Sequence, residues 1–84
     1  MSKQDDTIDW DRVAEMTLAL MHLTSFKEQG VVRSWKGYDW DALNLLHQKG
    51  WISDPVSKAK SVVLSDEGER RSCQLFEEHF RKAV

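Results

Sequence analysis

Apolar residues recur with helical spacing over the first third of the chain. The pattern predicts a first helix that begins near Asp9 or Asp11 and reaches about Lys27 or Gln29, with Gly30 ending it. Its apolar positions are Trp10, Val13, Ala14, Met16, Thr17, Leu18, Leu20, Met21, Leu23 and Thr24. Its solvent side is reduced to Asp11, Arg12, Glu15, Ala19 and His22. So wide an apolar arc indicates burial on more than one side. The helix is either the centre of a small core or lends part of its surface to a second subunit.

A connector and a short second helix follow. Residues 30–38 lack a helical period and contain two glycines, so we interpret them as a connector with room for a short strand at Val31–Ser34. Asp39 is a suitable N-cap for the second helix, and Gly50 supplies the left-handed turn that ends it. The predicted inward face consists of Trp40, Leu43, Leu46 and His47. Trp51 then falls where a Schellman motif packs a hydrophobic residue back on Leu46.

Two short apolar runs, Trp51–Ser53 and Ser61–Ser65, predict a β-hairpin. Pro55 belongs in the loop between them, because it cannot donate a hydrogen bond to a ladder. A third helix begins at Ser65 or Asp66, where acidic residues favour a helix start, and Asp66 with Glu69 is suited to a capping box. Its predicted inward stripe is Cys73, Phe76, Phe80 and Val84, flanked by Leu75.

These elements predict a single α+β, mainly α, winged-helix-like domain over residues 1–84, with residues 1–8 frayed. It has three helices and a two-stranded β-hairpin as its wing. A helix-turn-helix places a separate scaffold helix three or four residues before its recognition helix. Residues 30–38 carry no such helix, so the scaffold helix is missing or replaced by a loop. This argues against insertion of the second helix into a DNA groove.

Composition limits the classes of function. The chain has 84 residues and a net charge of −2, yet residues 31–62 hold five basic and three acidic side chains. Nucleic-acid binders are usually more positive, because phosphate contacts supply most of their affinity. No apolar run approaches the roughly 20 residues of a membrane span, and no secretory signal is visible. With Cys73 as the only cysteine, we expect a cytoplasmic protein without a disulfide or membrane contact.

Several polar and aromatic residues are candidates for contact with a partner or a nucleic acid. They are Arg33, Trp35, Lys36, Asn44, Gln48, Lys58 and Lys60. Lys58 and Lys60 lie at the predicted wing tip and are either phosphate contacts or ordinary solvated charges. Asn44 and Gln48 are suited to adenine edges, although the nearby Asp41 would repel phosphate. Trp35 either fills the gap left by the scaffold helix or serves as a partner-facing anchor.

The sequence carries no pattern for catalysis or for a bound metal. His22, His47 and His79 lie on three different predicted helices, without the spacing of metal ligands. Cys73 lies on an apolar stripe, which predicts a buried and inert thiol. Glycine-rich phosphate loops and dinucleotide fingerprints are absent from the sequence. We therefore expect a protein that is not an enzyme and that needs no cofactor or metal.

Two family resemblances accompany these patterns. The segment Leu43–Leu75 resembles the recognition helix, wing and last helix of MarR- and PadR-type winged-helix regulators, through its Lys-Gly turn, aliphatic strand and Leu-Ser-x-x-Gly entry to the last helix. The run Trp10–Phe80 resembles a small bacterial family of uncharacterised domains. Its matching segments are Trp35–Asp41, Leu46–Gly50, Ile52–Pro55 and Lys58–Val62. The second resemblance implies the fold and adds no catalytic or binding residues.

Three hypotheses of function follow. The first is a non-catalytic interaction module that forms a homodimer through the first helix, with contributions from the third and with an unknown protein partner. The second is a small DNA-binding regulator that turns its second helix toward the groove, with Lys58 and Lys60 at the phosphates. The third is a small enzyme, whose sign would be a concave pocket that holds His47 or Cys73 beside a charged partner.

Overall fold

The computed structural model describes residues 7–82, which form three helices and one antiparallel sheet. The helices are α1 (Trp10–Leu23), α2 (Trp40–Gln48) and α3 (Asp66–Phe80), and the strands are β1 (Ser25–Glu28), β2 (Val31–Trp35) and β3 (Ser61–Leu64). The strand order is β1-β2-β3. The α+β, mainly helical, winged-helix-like class is confirmed. The predictions for residues 1–6 and for Val84 lie outside the described residues.

Helix α1 begins as predicted but ends earlier. The Asp9 carboxylate accepts a hydrogen bond from the Arg12 backbone N–H at 3.1 Å, which caps the first turn. The helix stops at Leu23 because the hydroxyl groups that follow it take over hydrogen bonds of its last turn. The Ser25 hydroxyl donates to the His22 carbonyl at 2.7 Å. The prediction that the helix reaches residues 27–29 is therefore wrong, and those residues belong to β1 and its turn.

The β1–β2 hairpin occupies the place where a scaffold helix would stand. Gln29 and Gly30 form its two-residue turn, with φ angles of 51° and 83°. Two successive positive φ values are typical of a type I′ turn, whose twist suits a hairpin. Gly30 therefore turns a hairpin and does not end a helix. The strand predicted at Val31–Ser34 is confirmed and extends to Trp35.

The predicted wing forms only in part. Ile52 makes a single antiparallel bridge with Leu64, and the Ser53 N–H donates to the Val63 carbonyl at 2.8 Å. Strand β3 instead pairs along its whole length with β2, in an antiparallel register that places Trp35 opposite Ser61. The segment at Ile52 and Ser53 stops pairing with β3 after Ser53, because the turn at residues 54–57 includes Pro55, which has no N–H to donate to a ladder.

Helix α2 has the predicted ends. The Asp39 carboxylate accepts from the backbone N–H groups of the first turn at 3.0 and 3.2 Å. The Gly50 N–H reaches the His47 carbonyl at 3.0 Å, and the Trp51 N–H reaches the Leu46 carbonyl at 3.1 Å. These two bonds are those of a Schellman motif. The predicted inward face is partly wrong, because Trp40 is 54% exposed and His47 lies at the surface.

Helix α3 packs on a different face from the predicted one. Its buried residues are Gly68, Ser72 and Leu75, whereas Cys73 is exposed. The reason is close approach, since a β-carbon added at Gly68 would lie 1.9 Å from the Trp51 carbonyl oxygen. Small residues let α3 lie against this backbone, and Leu75, predicted at the flank of the inward stripe, is buried, whereas Phe76 is half-buried and Phe80 is exposed. The cap is also different from the proposed capping box, because the Ser65 hydroxyl accepts from the Gly68 N–H at 3.0 Å.

The core lies where the inner face of the sheet meets the helices. Its fully or almost fully buried apolar residues are Ala14, Leu18, Ala19, Met21, Leu43, Leu46, Ile52, Val62, Leu64 and Leu75. Helix α1 packs against both other helices, which explains much of its wide apolar arc. Ala19 was predicted on the solvent side, but the packing of α3 along that flank buries it completely.

Candidate interaction site

Helix α1 has a second apolar stripe that residues 7–82 leave partly exposed. The stripe consists of Val13, Met16, Leu20 and Leu23, at intervals of three, four and three residues. Leu20 is 41% and Leu23 is 67% exposed, while Val13 and Met16 are half-buried. This spacing is that of the a and d positions of a helix that pairs with another helix. We name these four residues the α1 outer stripe.

The other sides of α1 contact residues of the same chain. Ala14, Leu18 and Met21 are fully buried in the core. On the flank that faces α3, the Arg71 guanidinium donates to the Glu15 carboxylate at 2.9 Å, and the ring of His22 lies 5.1 Å from that of Phe76. The α1 outer stripe is therefore separate from both contacts. Near the end of α3, Phe80 adds another apolar side chain that is 43% exposed.

A second exposed surface is the outer face of the sheet. Trp35 is 54% exposed, and its ring centroid lies 5.1 Å from that of Phe26 on the neighbouring strand. Trp35 therefore packs in part on the neighbouring strand of its own sheet, and its remaining exposure favours the interpretation as a partner-facing anchor over gap filling. Whether a partner binds it stays a prediction.

Three of the five basic residues in the segment 31–62, which include the candidates Arg33 and Lys36, are engaged by their own chain. The Lys36 ammonium donates to the Pro55 and Ser57 carbonyls at 2.8 and 2.9 Å, which ties the loop of residues 54–57 to the end of β2. Arg33 lies 3.6 Å from the Glu28 carboxylate, and Lys49 lies 3.1 Å from that of Asp11. These pairs reduce the positive potential that the sequence suggests for residues 31–62.

Lys58 and Lys60 are different. Both are exposed, and within residues 7–82 neither has an ion-pair partner. They lie on the loop that enters β3, where the Lys36 N–H donates to the Lys60 carbonyl at 3.2 Å. This bond places the backbone of Lys60 at the end of β2, one residue along from Trp35, and Lys58 lies two residues earlier on the same loop.

Asn44 and Gln48 form a separate group on the exposed side of α2. They are one helical turn apart, with the exposed carboxylate of Asp41 three residues before Asn44. Helix α2 packs mainly on α1 and not on the sheet. The seven predicted contact residues therefore divide into a sheet group and an α2 group.

A cleft of about 250 Å³ lies between the end of α1, the hairpin and α3. Its lining includes His22, Lys27, Glu69 and Cys73. The prediction of a buried Cys73 is wrong, because α3 turns it outward into this cleft. The cleft places the Cys73 thiol near charged groups, and no hydrogen bond joins Cys73 to another described residue.

Metal and membrane features can be stated for the described residues. No group of three or more His, Cys, Asp or Glu among them is placed to hold a metal ion. His47 instead places its Nδ1 3.2 Å from the Ile52 carbonyl oxygen. Within residues 7–82, no helix is both long and apolar enough to span a bilayer.

The fold and its exposed faces define a small α+β domain of the winged-helix-like class. Residues 9–82 match the family described as "Domain of unknown function (DUF6429)", and the chain belongs to that family. It is similar to "Uncharacterized protein y4hR" of Sinorhizobium fredii (strain NBRC 101917 / NGR234), with 47% identity over 75 residues that cover 89% of this chain and 97% of that protein. The resemblance to a small bacterial family is therefore confirmed. No solved structure matches the chain.

Proposed function

We propose that the protein is a non-catalytic interaction module that associates with a second copy of itself through the α1 outer stripe. The observation that carries this proposal is the exposure of Leu20 and Leu23, at 41% and 67%, on a helix whose core-facing residues Ala14, Leu18 and Met21 are fully buried. Apolar residues with a/d spacing on one exposed face favour a partner helix.

The stripe is suited to a two-fold, antiparallel pair of helices. If the two-fold axis crosses the helix pair at the height of Leu18, Val13 of one copy contacts Leu23 of the other copy. Met16 of one copy then contacts Leu20 of the other. Each contact then occurs twice, as a two-fold interface requires. An antiparallel pair also separates the acidic first turns of the two helices, which a parallel pair would bring together.

The expected interface is small. Helix α1 has 14 residues, and at a rise of about 1.5 Å per residue it is roughly 21 Å long. A pair of such helices buries less than the roughly 1,200 Å² of a standard stable interface. We therefore expect dissociation constants on the order of micromolar and added contact from the exposed Phe80 of α3.

Matched substitutions test the position of the interface. Leu20→Lys introduces a charge into the α1 outer stripe, whereas Val31→Lys does so on the β1–β2 hairpin at the same exposure of 41%. By sedimentation velocity, Leu20→Lys is expected to weaken self-association at least tenfold, and Val31→Lys is expected to leave it unchanged. Equal dissociation constants for the two variants would exclude the α1 outer stripe as the interface.

A further inference from the structure

Helices cover the inner face of the sheet. Within residues 7–82, no helix covers its outer face. On the inner face, Ser34, Val62 and Leu64 are 0%, 1% and 4% exposed. Because side chains alternate along a strand, Arg33, Trp35 and Val63 lie on the outer face. The register continues this outer face onto β1, where Phe26 pairs with Arg33.

Two aromatic rings form a continuous ledge on this outer face. Phe26 and Trp35 lie on adjacent strands, diagonal to each other in the register, with ring centroids 5.1 Å apart and planes inclined by 38°. Trp35 remains 54% exposed despite this contact. About half of the Trp35 surface is therefore accessible to a ligand.

The exposed positive charge near the ledge comes from the loop that enters β3, because Arg33 at the Phe26 end is paired with Glu28. Arg33 is opposite Phe26 in the ladder and keeps a 3.6 Å contact with Glu28. At the other end, Trp35 pairs with Ser61, so the exposed Lys60 is the next residue along the loop. Lys58 follows two residues away and is also exposed. The acidic residue of this loop, Asp54, uses its carboxylate to accept from the Val56 N–H at 2.9 Å.

We propose that the outer face of the sheet binds single-stranded nucleic acid. Bases stack on Trp35 and Phe26, and the phosphates between them lie against Lys58 and Lys60. Exposed aromatic residues on a sheet, with cations beside them, are what unpaired bases and their backbone require. A duplex hides its base faces, so the rings favour a single strand. The two-ring ledge has room for two or three nucleotides.

This site is independent of the proposed self-association, because it shares no residue with the α1 outer stripe. It also differs from the groove-binding hypothesis, which places Asn44 and Gln48 of α2 at the bases of a duplex, although both assign Lys58 and Lys60 to the phosphates. With a net charge of −2, the protein should bind weakly and with a clear dependence on salt.

Fluorescence anisotropy with an end-labelled deoxythymidine decamer at low salt tests the proposal. Stacking on one aromatic side chain accounts for roughly a tenfold change in affinity or more, so Trp35→Ala is expected to weaken binding by at least that factor. Trp35→Phe retains a ring and should recover most of the affinity. Trp40→Ala is the matched control, because Trp40 has the same exposure of 54% but lies on α2.

The salt dependence of binding tests the contribution of the two lysines. Replacing both Lys58 and Lys60 with Ala should reduce the slope of log affinity against log salt by roughly one to one and a half, as expected for two lost contacts with a single strand. Circular dichroism of each variant establishes that it is folded. Absence of saturable binding at low salt, tighter binding of a duplex of equal length, or equal losses in the Trp35→Ala and Trp40→Ala variants would overturn the proposal.

Discussion

Gly68 shows how a single residue sets the position of a whole helix. It is buried at the start of α3, and its missing side chain is what lets α3 lie against the Trp51 backbone. Next to this contact, Ser65 donates its hydroxyl to the Gly50 carbonyl at 2.7 Å and its N–H to the Trp51 carbonyl at 3.0 Å. The end of α2 and the start of α3 are therefore joined by backbone contacts that only a small residue permits.

Gly68→Ala should destabilise the protein, although alanine is the better helix former by about 1 kcal/mol. The added β-carbon would lie 1.9 Å from the Trp51 carbonyl oxygen, and forced overpacking of this kind costs roughly 1–3 kcal/mol. Urea denaturation measures the loss. Gly37→Ala is the control, because an added β-carbon there meets nothing within 4 Å. A Gly68→Ala variant as stable as the Gly37→Ala variant would contradict the close packing described here.

At the scale of the elements, local signals predicted the helix starts well and the strands less well. Asp39 and Gly50 bound α2 through hydrogen bonds that reach only a few residues along the chain, so the sequence shows them. The β1 strand was missed because its pairing with β2 is what selects strand over helix. The buried face of α3 was missed because close backbone approach favours glycine and serine, which a search for large apolar residues passes over.

The turn between β1 and β2 gives a test at this scale. Gln29 has a φ of 51°, a conformation that costs an ordinary L-residue roughly 1 kcal/mol and that asparagine tolerates better. Gln29→Asn should therefore raise the free energy of unfolding by about 0.5 kcal/mol, measured by urea denaturation. Gly30→Ala should lower it, because φ is 83° there. A loss of stability in Gln29→Asn would show that the turn has another geometry.

At the scale of the whole molecule, the small core formed by residues 7–82 leaves two of their apolar surfaces exposed. The α1 outer stripe and the aromatic ledge of the sheet involve different elements, so one surface can be occupied without the other. The candidate residues could be named from the sequence, but their grouping could not. Lys36 and Lys49 are engaged by residues up to 38 positions away in the chain, whereas Lys58 and Lys60 remain exposed on the loop that enters β3.

Self-association through α1 predicts that the mass of the unmodified protein depends on its concentration. Light scattering behind size exclusion, over a series from low to high micromolar loading, measures this dependence. A rise from the 9.8 kDa monomer toward twice that mass is the predicted result, because a small apolar interface dissociates on dilution. A mass that stays at the monomer value throughout the series would contradict the proposal that α1 pairs with a second copy.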